Sequence, residues 1–215
     1  MPRARAKDPA QGYAGDFVTV AMKSVLKELA KRGIKVVANA GGVNPQACGA
    51  ALRQLCADMG VDLKVAVVEG DDVMPLLPQL RAAGASEMFT GEPLPEKLIS
   101  ANAYLGALPV AAALGRGADI VVTGRCADSA LALGVLMHEF GWQAQQWDHL
   151  AAGSLVGHIL ECGAQATGGM FTPWMKDLNL AEVGYPIAEI TAAGDICITK
   201  PAGTGGLVDE RKAGT

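Results

Sequence analysis

The stretch IVVTGRCADSALALG, residues 120–134, passes from a run of β-branched residues through a glycine into a helix-forming pattern. Such a short run, bounded by a breaker, predicts a strand buried on both faces, as in a parallel sheet. Between strand and helix stand Gly124, Arg125, Cys126, Asp128 and Ser129. A turn needs one glycine and one capping residue, so this crowd of charged and reactive groups points to a site at the carboxyl end of the strand.

The same alternation recurs on the N-terminal side. Residues 16–32 place Phe17, Val20, Ala21, Met22, Val25, Leu26 and Leu29 at helical spacing, with Asp16 as N-cap and Gly33 as stop. IKVVANAGG (34–42) predicts a strand, and NPQACGAALRQLCADMG (44–60) a helix with Asn44 as cap and Pro45 at its first position. LKVAVVEGDD (63–72) is a second strand, and VMPLLPQLRAAG (73–84) a short helix. Residues 85–108, with Pro93 and Pro95, read as an excursion from the sheet, and residues 102–117 supply a helix before the third strand at 118–124. Helices follow at 128–141, capped by Asp128, and from near Asp148 to Gly163, the latter with an apolar stripe of Leu150, Ala151, Leu155, Ile159 and Cys162. Two β-branched runs around Ala193-Gly194-Asp195 predict a hairpin. The fold expected is α/β: a Rossmann-like three-layer arrangement with a mainly parallel sheet and a C-terminal β-hairpin.

Composition narrows the function classes. The chain has 215 residues, enough for one α/β domain or one domain with a short extension. Half of its residues are hydrophobic, yet no apolar stretch approaches a membrane span. A net charge of −4 gives no basic face for nucleic acid. The basic start MPRARAKDPAQGYAGD is followed by no apolar core of a signal peptide. The five cysteines are widely spaced with no C-x-x-C pair, which fits reduced thiols in a cytoplasm.

Four constellations carry chemistry. In NAGGVNPQACG, Gly41 and Gly42 let the backbone approach a ligand, Asn39 and Asn44 flank them, and a helix N-terminus aims N–H groups at an anion. A tight strand-to-helix turn explains the glycines equally well, and neither the dinucleotide fingerprint nor the Walker pattern is met. In VEGDD, Glu69, Asp71 and Asp72 crowd a strand end, where carboxylates hold a hydroxyl, bind a metal, act as a base or cap the next helix. In GRCADS, Arg125 suits a carboxylate or phosphate, and Cys126 beside it near a helix N-terminus has the setting of a reactive thiol; Asp128 as a cap with Arg125 as its ion pair is the plainer reading. On the helix after Trp147, Ser154, His158, Glu161 and Gln165 share a face, where a His–carboxylate pair transfers protons, ligates a metal or simply meets solvent. No G-x-S-x-G elbow occurs.

At GRCADSALALG, HLAAGSLVGHILECGAQATGG, VGYPIAEI and ITKPAGTGGLV the sequence resembles the acyclic terpene utilization proteins of the AtuA type. RARAKDPAQGYAGDFV, VVANAGGVNPQACG and VAVVEGDDV fit the same family, so the resemblance runs from about Arg3 to Val208. It implies a place in the breakdown of citronellol- and geraniol-like compounds through branched acyl-CoA esters. Members are longer: they begin with a further glycine-rich strand-loop and strand, and continue beyond GTGGLV. Residues 1–215 are therefore expected to be a partial N-terminal α/β domain. A sheet edge is then left open to self-association, as a homo-oligomer, or to a partner.

The expected activity is acid–base chemistry of hydratase or lyase type on a carboxylic acid or its CoA ester, in an enzyme or enzyme subunit. The alternative is a non-catalytic subunit that supports a partner enzyme. Arg125, Cys126, Asp128, His158 and Glu161 are the expected catalytic residues. Asn39, Gly41, Gly42, Asn44, Glu69, Asp71, Gly124 and Ser129 are the expected binding residues. The partner is a small-molecule substrate, with no nucleic acid and no membrane; CoA enters only as part of the substrate, and no metal is assigned.

Overall fold

The run at residues 120–123 is a strand, β3 (Ile120–Thr123), buried at all four positions. It lies between β1 (Val36–Ala38) and β2 (Val65–Val68) in a parallel sheet of order β1-β3-β2, with Val37 and Ala66 both opposite Val121. The most apolar strand takes the middle because only there are both neighbours strands. The structure is a computed structural model that describes residues 1–169 and 178–208. Its chain forms two compact units, Met1–Ala127 and Asp128–Thr215.

In the first unit the order of strands sets the layers. The chain runs from β1 through α3 (Pro45–Met59) to β2, two places across, then back one place through α5 (Leu108–Gly115) to β3. Two crossovers of the same hand in opposite directions put their helices on opposite faces. Ile120 and Val122 join Cys48, Leu52 and Cys56 of α3 in one core cluster. Val121, one residue out of phase and 0 % exposed, faces the other way. Burial pushes the Cys48 thiol up to about 11, so it behaves as a small core hydrophobe.

The helix predicted over 16–32 is two pieces. Asp16 accepts only from the N–H of the next residue, Phe17, and Phe17–Met22 is a widened π-helical stretch before α2 (Lys23–Arg32), which stops at left-handed Gly33. The wider turn shifts the apolar phase. Val18, Met22, Leu26 and Leu29 enter the core, whereas Val20 is 66 % and Val25 43 % exposed. Asn44 precedes α3 but does not cap it; its amide donates instead to the carbonyls of Pro9 and Gln11, pinning the segment that follows α1 (Pro2–Lys7).

The predicted short helix appears as a 3-10 turn, Met74–Leu76, running into α4 (Leu77–Ala82). The following excursion returns as extended chain, not helix. Val73 N–H bonds Ala101 O, Ala103 N–H bonds Asp71 O, and Leu105 exchanges bonds with Arg125 and Ala127. Helix α5 therefore starts at Leu108 rather than near Asn102. These cross-chain bonds outcompete the local helix pattern.

The second unit is built on α6 (Ala130–Phe140) and α7 (Trp147–Glu161). Ser129 and Gln146, not Asp128 and Asp148, occupy their cap positions. The buried residues of α7 are Gly153, Val156 and Gly157, while Leu155 is 51 % exposed, so the predicted apolar stripe is not the packed face. A Cβ on Gly157 would lie 2.6 Å from the Ser129 carbonyl oxygen, so the missing side chain is what admits α6. Strands β4 (Ile187–Ile190) and β5 (Ile196–Thr199) form the predicted antiparallel hairpin, and Trp142 donates to Ala192 O at its turn.

The parallel α/β sheet and separate hairpin agree with the sequence reading. The architecture is mixed α/β, with a three-stranded parallel sheet and a separate two-stranded antiparallel hairpin. No helix among the described residues is long and apolar enough to cross a membrane.

Leu52 is 0 % exposed, and Leu52→Ala is expected to cost about 2–5 kcal/mol in urea unfolding, whereas Val20→Ala stays within about 0.5 kcal/mol. At Gly124 an added Cβ would sit 2.1 Å from Asp71 Oδ1. Gly124→Ala is therefore expected to cost about 1–3 kcal/mol by displacing a hydrogen-bonded carboxylate, while Gly15→Ala, with nothing within 4 Å, changes little.

Candidate functional site

Asp71 organises the carboxyl end of the sheet. It is 3 % exposed, and its Oδ2 accepts from the main-chain N–H of Arg125 at 2.9 Å and from Asn102 Nδ2 at 2.8 Å. A buried carboxylate needs such donors, and these two come from the end of β3 and from the returning excursion. Gly124 N–H bonds Val68 O, so the β2 and β3 loops leave the sheet together. Thr123, fully buried, sets its hydroxyl between the Gly124 carbonyl at 2.9 Å and the Cys126 sulfur at 3.6 Å. Cys126 itself is 3 % exposed.

Arg125 turns its side chain outward onto Tyr104. Its guanidinium carbon lies 4.8 Å from the ring centroid, and Nη2 donates to the Tyr104 hydroxyl. A guanidinium held over an aromatic ring keeps its charge while losing rotamer freedom.

The glycine loop lies against this same end. The Cβ position of Gly41 falls 2.4 Å from Thr123 O, so the loop packs directly on the tip of β3. Three of its N–H groups bond within the chain: Gly42 N–H to Asn39 O, Val43 N–H to Gly12 O, and Asn44 N–H to Gly41 O. Glu69 is exposed and accepts from Gln46 Nε2 at 2.6 Å, linking the β2 loop to the first turn of α3.

Beside these loops, within the first unit, is a cleft of about 310 Å³. Its polar groups are Arg5, Asp72, Ser100 and Asn102, and Pro2, Ala6, Val43, Met74 and Ile99 make its apolar wall. Arg5 donates to Val43 O and lies 3.8 Å from Asp72 Oδ2, while Asp72 Oδ1 accepts from Met74 N–H. One cation, one carboxylate, a hydroxyl and an amide over an apolar wall suit a small acid with a hydrocarbon body.

Asp128, Ser129, His158 and Glu161 belong to the second unit. There the close approach at Gly157 sets the start of α6 against the last turns of α7. His158 Nδ1 lies 3.5 Å from Glu161 Oε1, and the Cys162 thiol donates to the same oxygen at 3.3 Å. Burial, then the hydrogen bond and charge of Glu161, then the charge of Asp128 push the Cys162 thiol up. The predicted site residues thus form two groups. Asn39, Gly41, Gly42, Asn44, Glu69, Asp71, Gly124, Arg125 and Cys126 gather at the sheet end of the first unit; the other four gather in the second.

Sequence reasoning missed Arg5, Ser100, Asn102, Tyr104 and, as a site residue, Cys162. Arg5 sits in a short basic helix, and Asn102 and Tyr104 fall where a helix was expected. Only Cys162 carried a usable signal, standing four residues after His158 and next to Glu161.

Comparison with known proteins adds one finding. No curated protein and no solved structure matches the chain. The sequence model of the acyclic terpene utilisation family protein AtuA matches residues 1–213, essentially the whole length. With its resemblance motifs spread from the N-terminal helix to the loop after the hairpin, the chain belongs to the AtuA family, which is implicated in acyclic terpene utilisation.

Proposed function

We propose that this chain serves acyclic terpene catabolism in the cytoplasm by acting on a branched carboxylic acid or its CoA ester, through acid–base chemistry of hydratase or lyase type. The observation that carries this reading is the cleft of the first unit, in which Arg5 and Asp72 face each other over Met74 and Ile99. Arg5 would take the carboxylate or thioester oxygen, the apolar wall the branched chain, and Asp72 a proton next to the bound carbonyl. Asn102, tied to Asp71, is held in a fixed orientation and offers its amide oxygen to a hydroxyl. Arg125, held on Tyr104, places a further positive charge at the same sheet end.

A second reading, a supporting subunit, has its own observation. Lys64 O and Val68 O bond β3, so the main-chain groups of Val65 and Val67 face away from it. Arg53 Nη2 donates to Val65 O, and a groove of about 330 Å³ runs along this edge between β2 and α5. A partner or second copy pairing there would cover the edge.

A thermal-shift panel of branched acids and acyl-CoA esters on the full chain separates the two. The enzyme reading expects stabilisation by at least one member and a binding loss of about 10-fold or more in Arg5→Ala, the scale of one charge-assisted hydrogen bond. No stabilisation by any member removes that reading. The subunit reading instead expects a light-scattering mass above the 22.1 kDa of one chain and slow amide exchange at Val65 and Val67.

A further inference from the structure

We propose that the C-terminal end of α7 is a binding site for Zn²⁺ or a similar borderline-soft divalent cation, ligated by the His158 imidazole, the Glu161 carboxylate and the Cys162 thiolate. The three residues stand at i, i+3 and i+4, one behind another on a single turn. Their donor atoms all lie within 4.8 Å of one another. Tetrahedral zinc, with bonds of about 2.0–2.1 Å to nitrogen and oxygen and about 2.3 Å to sulfur, needs donor–donor edges of about 3.3–3.6 Å. Two edges already have that length, 3.5 Å from His158 Nδ1 to Glu161 Oε1 and 3.3 Å from Glu161 Oε1 to Cys162 Sγ. The remaining edge has to close by no more than about 1.3 Å, within reach of small side-chain rotations.

The chemistry of the set selects the ion. Imidazole, carboxylate and thiolate together favour zinc over magnesium or calcium, which take oxygen alone. A cation is favoured electrostatically as well. The site is the last turn of a helix, the negative end of its dipole, and the charge of Asp128 bears on the same thiol. The His158 and Glu161 side chains are 64 % and 38 % exposed, so an ion can reach them without opening the core. The Cys162 thiol donates to Glu161 Oε1 at 3.3 Å. On binding, the S–H bond breaks, a metal–sulfur bond forms and the proton leaves to buffer; His158 and Glu161 contribute lone pairs. Three protein ligands leave a fourth position for water.

The test is a cobalt titration of the full chain after removal of adventitious metal by chelation, read without any substrate and so independent of the cleft in the first unit. Expected are saturation at one equivalent of Co²⁺, a near-ultraviolet thiolate-to-cobalt charge-transfer band with visible bands of tetrahedral intensity, and displacement by Zn²⁺. Cys162→Ser should abolish the charge-transfer band. His158→Ala and Glu161→Gln, both at exposed positions, should weaken Co²⁺ binding more than the about 10–100-fold seen when a group outside the ligand set is lost. Cys197→Ser, an exposed thiol on β5, should leave the spectrum unchanged. Absence of saturable binding, binding without a charge-transfer band, or a band that survives Cys162→Ser overturns the site.

Discussion

The Asp71 carboxylate, buried at the carboxyl end of the sheet, is the constraint on which the first unit depends. Charge at 3 % exposure is tolerable only with donors on it, and the chain supplies the Arg125 N–H and the Asn102 amide. Meeting that demand fixes three segments at once: the loop after β2 that carries Asp71, the tip of β3, and the return of the long excursion. It also dictates Gly124, since any side chain there would occupy the space of the carboxylate. The arrangement of Arg125 on Tyr104 follows, because Tyr104 is two residues beyond Asn102 on the same extended strand of chain.

The second unit solves a different problem. Helices α6 and α7 approach through glycines, with Gly157 against Ser129 and Gly153 against Leu133 and Trp142. Close contact through small residues leaves the larger apolar side chains of α7 partly outside, which is why Leu155 is exposed. It also turns the His158–Glu161–Cys162 face outward. The proximity of three different ligand types there is a consequence of which face of the helix the glycines consumed.

Much of the fold was legible in the sequence, and for local reasons. The β-branched run at 120–123, the stop at Gly33, Pro45 at the start of α3 and the hairpin around Gly194 each state their conformation within a few residues. Less of the site was legible. Asp71, Gly124 and Arg125 stood at strand ends and could be picked by position, whereas Arg5, Asn102 and Tyr104 reach the sheet end only through bonds to residues far away in the chain. The AtuA membership came from idiosyncratic strings rather than from any chemical motif.

By itself, then, the sequence determined a parallel α/β sheet with β3 as its most buried strand, a C-terminal hairpin, and acidic and basic residues at strand ends, because hydrophobic period and glycine placement act over a single turn or strand. Only the tertiary structure decided the order β1-β3-β2, which helix faces are buried, and which polar groups meet. A π-helical stretch shifted the phase of one helix, glycine contacts chose the face of another, and a buried carboxylate called in donors from two distant segments. Those outcomes depend on packing and hydrogen-bond satisfaction between elements, which no local window of sequence contains.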